Sequence, residues 1–381
     1  MKIGILSLYY KNMNYGGLLQ AYALTEIINR QNHEAEQVCY DMFTPSGSQI
    51  TLGKLFRYGI LYMLRILRYP FDALCKKNIY TRHSALVQFQ EMIPHSKQVY
   101  TTNTMQNTLP LYDQFVTGSD QVWNMSWYRE AFFLSFAPKE KHPFSYAASM
   151  PNTDLTEAQK NIVCNHLKKL QDVSVREAET ADFLTQLINR PVHTVLDPTL
   201  LLTKQDWDEI CAKPLLKEKY MFCYFLGTSR KQRKTAERFA RKKQLTLVTL
   251  PHLCGACVSD IRFGDKRLYD VSPQQFLSLI KHAEYVLTDS FHAVVFANMY
   301  QTKFIVFDRV GTCKMSSRIT HILHLFGCPE RLCTDEKHAL SYIFAHIDMP
   351  LSGFSEEFLT LKEESLAFLE RNLLQNKEDD R

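Results

Sequence analysis

Apolar runs that end in short polar turns recur along the chain and predict alternating strands and helices. The clearest case is residues 286–297, where an apolar strand, a polar turn and a helix of small apolar residues follow one another. A second apolar strand, residues 303–307, comes directly afterwards. This order is typical of an α/β sheet, in which ligands bind beyond the carboxyl ends of the strands.

The amino-terminal segment has the same pattern. Residues 3–10 predict a strand, residues 18–28 a helix with one apolar face, and residues 36–40 a second strand. Gly16 and Gly17 separate the first strand from the helix, and they either let a ligand approach the backbone or only form a tight turn. Their spacing is not GxGxxG, so no dinucleotide is predicted.

Residues 54–77 interrupt this alternation with a basic, aromatic-rich amphipathic stretch. If the stretch is helical, Lys54, Arg57, Arg65 and Arg68 share an arc of about 80°. Such a helix is typical of a contact with a membrane surface or a partner, and equally of an ordinary helix packed on a sheet. The pattern leaves both interpretations open.

Composition indicates an ordinary globular protein of two domains. The 381 residues are 45% hydrophobic and 22% charged, with a formal net charge of +5. This mild excess of positive charge does not indicate a nucleic-acid partner, and it suits an anionic substrate or an anionic membrane surface.

The ten cysteines are scattered, and no signal peptide or membrane span is predicted, so we expect a cytoplasmic protein. Cys254 and Cys257 form a lone CxxC without further ligands, and we expect no metal.

Polar residues that follow predicted strands are candidates for a site. Arg176 ends a strand and can hold a phosphate or carboxylate by two parallel hydrogen bonds, or simply pair with a neighbouring glutamate. Asp289 and Ser290 are common helix caps, but His292, in the first turn of the same helix, can bind an anion or transfer a proton. A further helix starts near residue 316 and carries Arg318 toward the same crevice.

Six motifs in order resemble the polysaccharide pyruvyl transferase family. They are residues 14–24 (NYGGLLQAYAL), 118–124 (GSDQVWN), 146–149 (YAAS), 174–177 (SVRE), 197–201 (DPTLL) and 288–292 (TDSFH). Each motif alone is weak, but together they extend from the first strand to about Arg318 and cover most of the chain.

The resemblance implies an α/β fold with two Rossmann-like domains facing a cleft, similar to the B-type glycosyltransferases. We expect an N-terminal domain over residues 1–170 on the acceptor side, with residues 54–77 as an insert. A C-terminal domain over residues 171–350 lies on the donor side. Residues 351–381 form a helix that returns to the first domain.

The activity that the resemblance implies is transfer of the enolpyruvyl group of phosphoenolpyruvate onto sugar hydroxyls. The product is a pyruvate ketal on an exopolysaccharide or capsule glycan, or on its lipid-linked precursor, and phosphate is released. Phosphoenolpyruvate is a donor substrate, and no cofactor, metal or nucleic acid is expected. Residues 54–77 are then a possible contact with the inner face of the membrane.

Site residues follow from the same resemblance. We expect Arg176 to bind the anionic groups of the donor, His292 to bind phosphate or act as acid, and Asp120 to act as base or acceptor anchor. Replacing Arg176 or His292 by alanine should abolish turnover and leave the fold intact. The further binding residues are Asn14, Gly16, Gly17, Ser119, Gln121, Trp123, Ser149, Asp197, Ser290 and Arg318.

Two departures from the family pattern leave alternatives open. Many ketal-forming members have arginine at the position of Ser290 and glycine at that of Ala293; Arg318 is a candidate to supply the missing charge. One alternative is a nucleotide-sugar-dependent glycosyltransferase of the same architecture, with His292 and Arg176 on the diphosphate. Another is a non-catalytic glycan-assembly protein.

Overall fold

A computed structural model describes residues 1–44, 81–251, 258–309, 316–351 and 353–374. The basic stretch 54–77 and the Cys254–Cys257 pair lie outside these residues. The model confirms the predicted α/β class. The strands are β1 (Lys2–Leu6), β2 (Glu34–Gln37), β3 (Gln114–Thr117), β4 (Phe144–Ser145), β5 (Ser174–Val175), β6 (His193–Thr194), β7 (Tyr220–Tyr224), β8 (Thr246–Thr249), β9 (Lys266–Arg267), β10 (Tyr285–Thr288), β11 (Phe304–Phe307) and β12 (Leu332–Cys333).

Helices connect these strands. They are α1 (Tyr15–Arg30), α2 (residues 81–90), α3 (Glu157–Leu167), α4 (Ala178–Ile188), α5 (Lys204–Ile210), α6 (Arg230–Lys243), α7 (Pro273–Lys281), α8 (Phe291–Met299), α9 (Ser316–Leu325), α10 (Ala339–His346) and α11 (Glu356–Leu374). No helix within the described ranges is both long enough and apolar enough to cross a bilayer.

The first sheet is parallel, with strand order β2-β1-β3-β4. Strands β5 and β6 also pair in parallel, and Ala148 bridges Asp120 on one side and Val175 on the other. Through this bridge β5 and β6 continue the first sheet. We refer to the elements from β1 to β6 as the first unit and to those from β7 to β12 as the second unit. The predicted domain boundary after residue 170 stays a prediction.

The second sheet has strand order β12-β11-β10-β7-β8-β9, and every pair is parallel. Its order reverses between β7 and β10, as in doubly wound dinucleotide-binding folds, and ligands bind at such a reversal. The predicted strand, turn, helix and strand over residues 286–307 are confirmed as β10, α8 and β11. All nine residues of α8 are buried, which explains why the helix is apolar on every side.

The two units share a hydrophobic core, which brings the carboxyl ends of their strands together. Tyr15, the first residue of α1, stacks on Phe276 of α7 with ring centres 4.9 Å apart, and its hydroxyl donates to the Val271 carbonyl. The final helix, α11, packs on the first unit. Its Ser365 accepts a hydrogen bond from the Leu196 amide, and the Asn372 carbonyl accepts one from the Gln114 side chain.

Candidate active site

The loops after β3, β5 and β10 converge on a buried cluster of charges centred on Arg176. Its Nη1 lies 2.6 Å from Asp197 Oδ2, its Nε 3.4 Å from Glu177 Oε1, and its Nη2 4.0 Å from Asp120 Oδ1. The guanidinium also lies 4.6 Å from the ring centre of Phe291. The structure thus brings Arg176, Asp197 and Asp120 together, although they are far apart in sequence.

Electrostatics hold this cluster in its charged form. Burial disfavours the charged guanidinium, but Glu177, Asp197 and Asp120 together raise the pKa of Arg176 above its ordinary value. Burial likewise opposes ionisation of Asp197, and its contacts with His292, Arg176 and Thr199 nevertheless lower its pKa below the ordinary range. Arg176 is therefore already neutralised by protein carboxylates, and its first role is to hold them in place.

His292 lies between the two units, at the start of α8. Its Nε2 is 3.7 Å from Asp197 Oδ2 and has no hydrogen-bond partner among the described residues, although the side chain is buried. The ring packs directly on α1, where a Cβ added to Gly16 would lie 2.0 Å from His292 Nδ1. Position 16 therefore needs a glycine because the His292 ring leaves no room for a side chain, whether or not a ligand also binds there.

Two helix amino termini point at this place. In α1, Asn14 accepts a hydrogen bond from the Gly16 amide and so occupies one of the free donors. In α8, the cap residue Ser290 makes no side-chain capping bond. Unpaired amides at a helix start carry partial positive charge and attract anions. The start of α8, with the unpartnered Nε2 of His292 beside it, is therefore suited to an anionic ligand.

Asp289, by contrast, has a structural role. Its carboxylate accepts hydrogen bonds of 2.7 Å from the amides of Leu226 and Gly227, which ties the loop after β7 to the loop after β10. Burial raises the pKa of this carboxyl, while the nearby Arg309 opposes the shift. The Asp289 side chain therefore shapes the crevice and is not offered to a ligand.

A second arginine completes the cluster. Arg318 Nε lies 3.6 Å from Glu177 Oε1, and its Nη1 is 3.4 Å from Ser149 Oγ. Burial lowers the pKa of Arg318 to about 10, although Glu177 partly offsets this effect. Glu177 Oε1 also accepts a 2.7 Å hydrogen bond from Ser149. Its Oε2 is buried without a hydrogen-bond partner in the described part of the chain.

These side chains surround a cavity of about 100 Å³ between the first unit, α8, α9 and α11. It has a polar wall and an apolar wall, the latter including Leu196 and Leu361. The polar and aromatic lining comprises Arg176, Glu177, Glu179, Asp197, Phe291, Arg318 and His321. From the sequence, Glu177 was expected only to form an ion pair with Arg176, because the two residues are adjacent. Within the described ranges, no group of three or more potential ligand side chains could hold a metal ion.

The GSDQVWN motif is largely structural. Gly118 has φ +121°, and an added Cβ would lie 2.0 Å from the Tyr146 carbonyl oxygen. Trp123 is fully buried, stacks on Phe133 and donates its indole N–H to the Phe132 carbonyl, so its contacts are those of a core residue. Its role in ligand binding stays a prediction.

Three other candidates lie near the cluster and support it. Ser119 donates to the Ala147 carbonyl and lies 3.4 Å from Asp197 Oδ2. Gln121 accepts a hydrogen bond from Asn124 in its own loop. An added Cβ at Gly17 would lie 2.2 Å from Asn12 Nδ2, so this glycine accommodates the preceding loop.

The contact between Gly16 and His292 can be tested by a double-mutant cycle. Gly16→Ala should destabilise the wild type, because its new methyl group overlaps the imidazole. The same change in a His292→Ala background should cost clearly less, since the obstacle has gone. Urea unfolding of the four proteins measures the coupling, and additive effects would show that the two residues do not meet.

Comparison with known proteins supports both the fold and the motifs. A family model for polysaccharide pyruvyl transferase matches residues 14–309. A search of curated proteins found no match. Among solved structures, UDP-GlcNAc 2-epimerase from Methanocaldococcus jannaschii is 11% identical, with a TM-score of 0.56 over 97% of this chain and 100% of that one. A putative UDP-N-acetylglucosamine 2-epimerase from Listeria monocytogenes is 9% identical, with a TM-score of 0.55 over 99% of this chain and 97% of that one. At these identities the similarity shows the fold alone.

Proposed function

The chain belongs to the polysaccharide pyruvyl transferase family, and from this premise we propose that it transfers the enolpyruvyl group of phosphoenolpyruvate to sugar hydroxyls. The acceptor is a surface polysaccharide or its lipid-linked precursor, and the product is a pyruvate ketal. The observation that carries the proposal is the buried Nε2 of His292, which has no hydrogen-bond partner in the part of the chain that the structure describes. It lies at the start of α8, next to a cavity lined by two guanidinium groups.

The donor carries a phosphate and a carboxylate on a small enol. We propose that the phosphate binds at the start of α8, where His292 and the first-turn amides supply donors. The carboxylate binds Arg318, whose buried guanidinium lines the cavity beside Glu177. Arg176 holds Asp197, Glu177 and Asp120 around the donor and is not itself the main anion contact. This changes the role that the sequence suggested for it.

The reaction requires a proton on carbon 3 of the donor and the loss of two hydroxyl protons. Carbon 3 takes a proton and becomes a methyl group, one hydroxyl oxygen bonds to carbon 2, and the C–O bond to phosphate breaks. The second hydroxyl then bonds to carbon 2 and closes the ketal. We assign the proton transfer to Glu177, which is a carboxylate beside Arg176 and Arg318 and whose Oε2 has no partner within the described residues. Its Oε2 takes the proton of one acceptor hydroxyl and passes it to carbon 3. Asp120 is assigned to the other hydroxyl, whose proton leaves with the phosphate.

We place the reaction in the cytoplasm, where the donor is made. The six cysteines within the described residues are all unpaired, which supports a reducing compartment. A contact of residues 54–77 with the inner face of the membrane remains part of the proposal, and those residues lie outside the described ranges.

Ligand-induced stabilisation tests the proposal without knowledge of the acceptor. Phosphoenolpyruvate at about 100 times its dissociation constant should raise the free energy of unfolding by roughly 2.7 kcal/mol. His292→Ala should lose this stabilisation, while His193→Ala, a half-exposed histidine on β6, should keep it. Thermal melts with phosphoenolpyruvate and with uridine diphosphate measure both. Stabilisation by the nucleotide alone would favour the glycosyltransferase alternative and overturn the donor assignment.

A further inference from the structure

Helix α6 carries a stripe of exposed basic residues along its outer side. At about 100° per residue, Arg230, Lys234, Arg238 and Arg241 fall within an arc of about 80°. All four are exposed, and none pairs with an acidic side chain of the described residues, whereas Lys231 and Lys243 on the same helix do. We call these four residues the α6 stripe.

The opposite side of α6 fixes the direction of this stripe. Ala236, Phe239 and Ala240 are buried against the second sheet and α10. Arg233, also buried, pairs with Asp260 at 2.6 Å and donates to the Gly227 and Ser229 carbonyls. The helix therefore cannot rotate to bury its basic residues, and they stay in solvent unless a partner covers them.

An exposed apolar side chain lies at the start of the stripe. Ile261 is 44% exposed and lines the same surface depression as Arg230 and Lys234. Glu237 falls close to the same arc and also lines this depression, so the surface has one acidic side chain among its basic ones. The helix is 14 residues long, or about 21 Å. A surface of this length on which basic side chains outnumber acidic ones attracts anionic lipid headgroups.

We propose that the α6 stripe, with Ile261 at its start, docks on an anionic lipid surface. The basic side chains would contact lipid phosphates, and Ile261 would enter the headgroup layer. Each lysine or arginine near such a surface strengthens binding by about fivefold. A nucleic acid fits less well, because single strands require stacked aromatic rings along the basic surface, and the stripe itself has none.

The position of α6 connects this surface with the site. The helix begins after Gly227, whose amide is held by Asp289, and so it starts at the edge of the second sheet that carries Ser290 and His292. A docked α6 would keep this edge near the lipid headgroups, where a lipid-linked sugar is presented. That consequence rests on the proposed function, but the docking itself does not.

Vesicle binding by two matched charge-reversal variants tests the proposal. Lys234→Glu/Arg238→Glu changes the stripe, and Lys168→Glu/Lys169→Glu makes the same change in net charge on an exposed lysine pair of the first unit. The full-length proteins are sedimented with phosphatidylcholine vesicles, with and without phosphatidylglycerol. Wild type should bind only the anionic vesicles. The stripe variant should bind them at least about 25-fold more weakly, and the control should bind as wild type does.

Four results would overturn the proposal. The first three are equal binding to both vesicle types, equal losses in the two variants, and binding of duplex DNA more tightly than anionic vesicles. The fourth is binding retained by the stripe variant, which would assign any membrane contact to another part of the chain. Thermal melts of both variants, which change only exposed side chains, verify that each is folded. Failure of the ligand-stabilisation test above would leave this result unaffected, because no donor is present.

Discussion

Replacing Arg176 by alanine is expected to lower the free energy of unfolding by about 3–5 kcal/mol and to abolish turnover. The loss of stability arises because Asp197, Glu177 and Asp120 would stay buried without their common cation. Removing one partner of a buried ion pair is costly for this reason, whatever the net contribution of the intact pair. The structure thus changes the sequence-based expectation that this variant keeps an intact fold.

A matched control separates stability from catalysis. Arg233 forms a second buried pair, with Asp260, at the same distance of 2.6 Å but away from the cavity. Arg233→Ala should destabilise the protein by a similar amount and keep its turnover at a temperature where it is folded. Urea unfolding and phosphate release, measured on both variants, make the comparison. If the Arg176→Ala variant is as stable as the wild type, Arg176 does not stabilise the three carboxylates around it.

The double variant Arg176→Met/Asp197→Leu extends this test. If the cost of Arg176→Ala is mainly an unpaired carboxylate, removal of both charges should restore part of the lost stability. The coupling energy from the four proteins then measures the Arg176–Asp197 interaction itself. Strictly additive losses would show that shape rather than charge determines the stability of this cluster.

The fold could be predicted where the apolar pattern is long enough to have a clear period. Residues 286–307 became β10, α8 and β11 as expected, and the β1–α1–β2 start was also correct. The continuation of the first sheet was not predictable in this way. It depends on β5 and β6, each two residues long, and on Ala148, which joins them to the first sheet by isolated bridges.

Many residues of the candidate site could be predicted, but the contacts among them could not. Polar residues after strands pointed to Arg176, Asp197 and His292, because parallel strands place their carboxyl ends at one edge. Sequence alone could not show that Arg176 is neutralised by three carboxylates, or that Glu177 has an oxygen without a partner among the described residues. It also could not show that Trp123, a tryptophan in a polar loop, is fully buried.

The role of Gly16 illustrates the same limit. The glycine pair was recognisable as a place of close approach, but its nearest neighbour is His292, which lies 276 positions further along the chain. One contact thus joins the first helix of one unit to the site helix of the other. This contact is seen only in the packing of α1 against α8. The geometry of the site therefore depends on how the two units are positioned relative to each other.

His292→Ala is expected to reduce turnover by about 10²–10⁴-fold and to lower stability less than Arg176→Ala does. The reduction follows if the imidazole supplies a hydrogen bond or a proton to the phosphate that leaves. Some stability is lost, because the buried ring packs on Gly16 and its contact with Asp197 lowers the pKa of that carboxyl. Asp197 nevertheless keeps its contacts with Arg176 and Thr199.

Two comparisons make this prediction specific. His321→Ala removes an imidazole from the lining of the neighbouring cavity and should leave most of the turnover, since His321 does not lie at the start of α8. His292→Gln keeps a hydrogen-bond donor but cannot carry a proton at neutral pH. Partial activity in the glutamine variant would therefore indicate phosphate binding, and activity as low as that of the alanine variant would indicate proton transfer.

Phosphate release from phosphoenolpyruvate with a panel of glycan acceptors measures the turnover of all three variants. Near-normal release by His292→Ala would remove this histidine from the mechanism, and the start of α8 would then no longer be supported as the donor site.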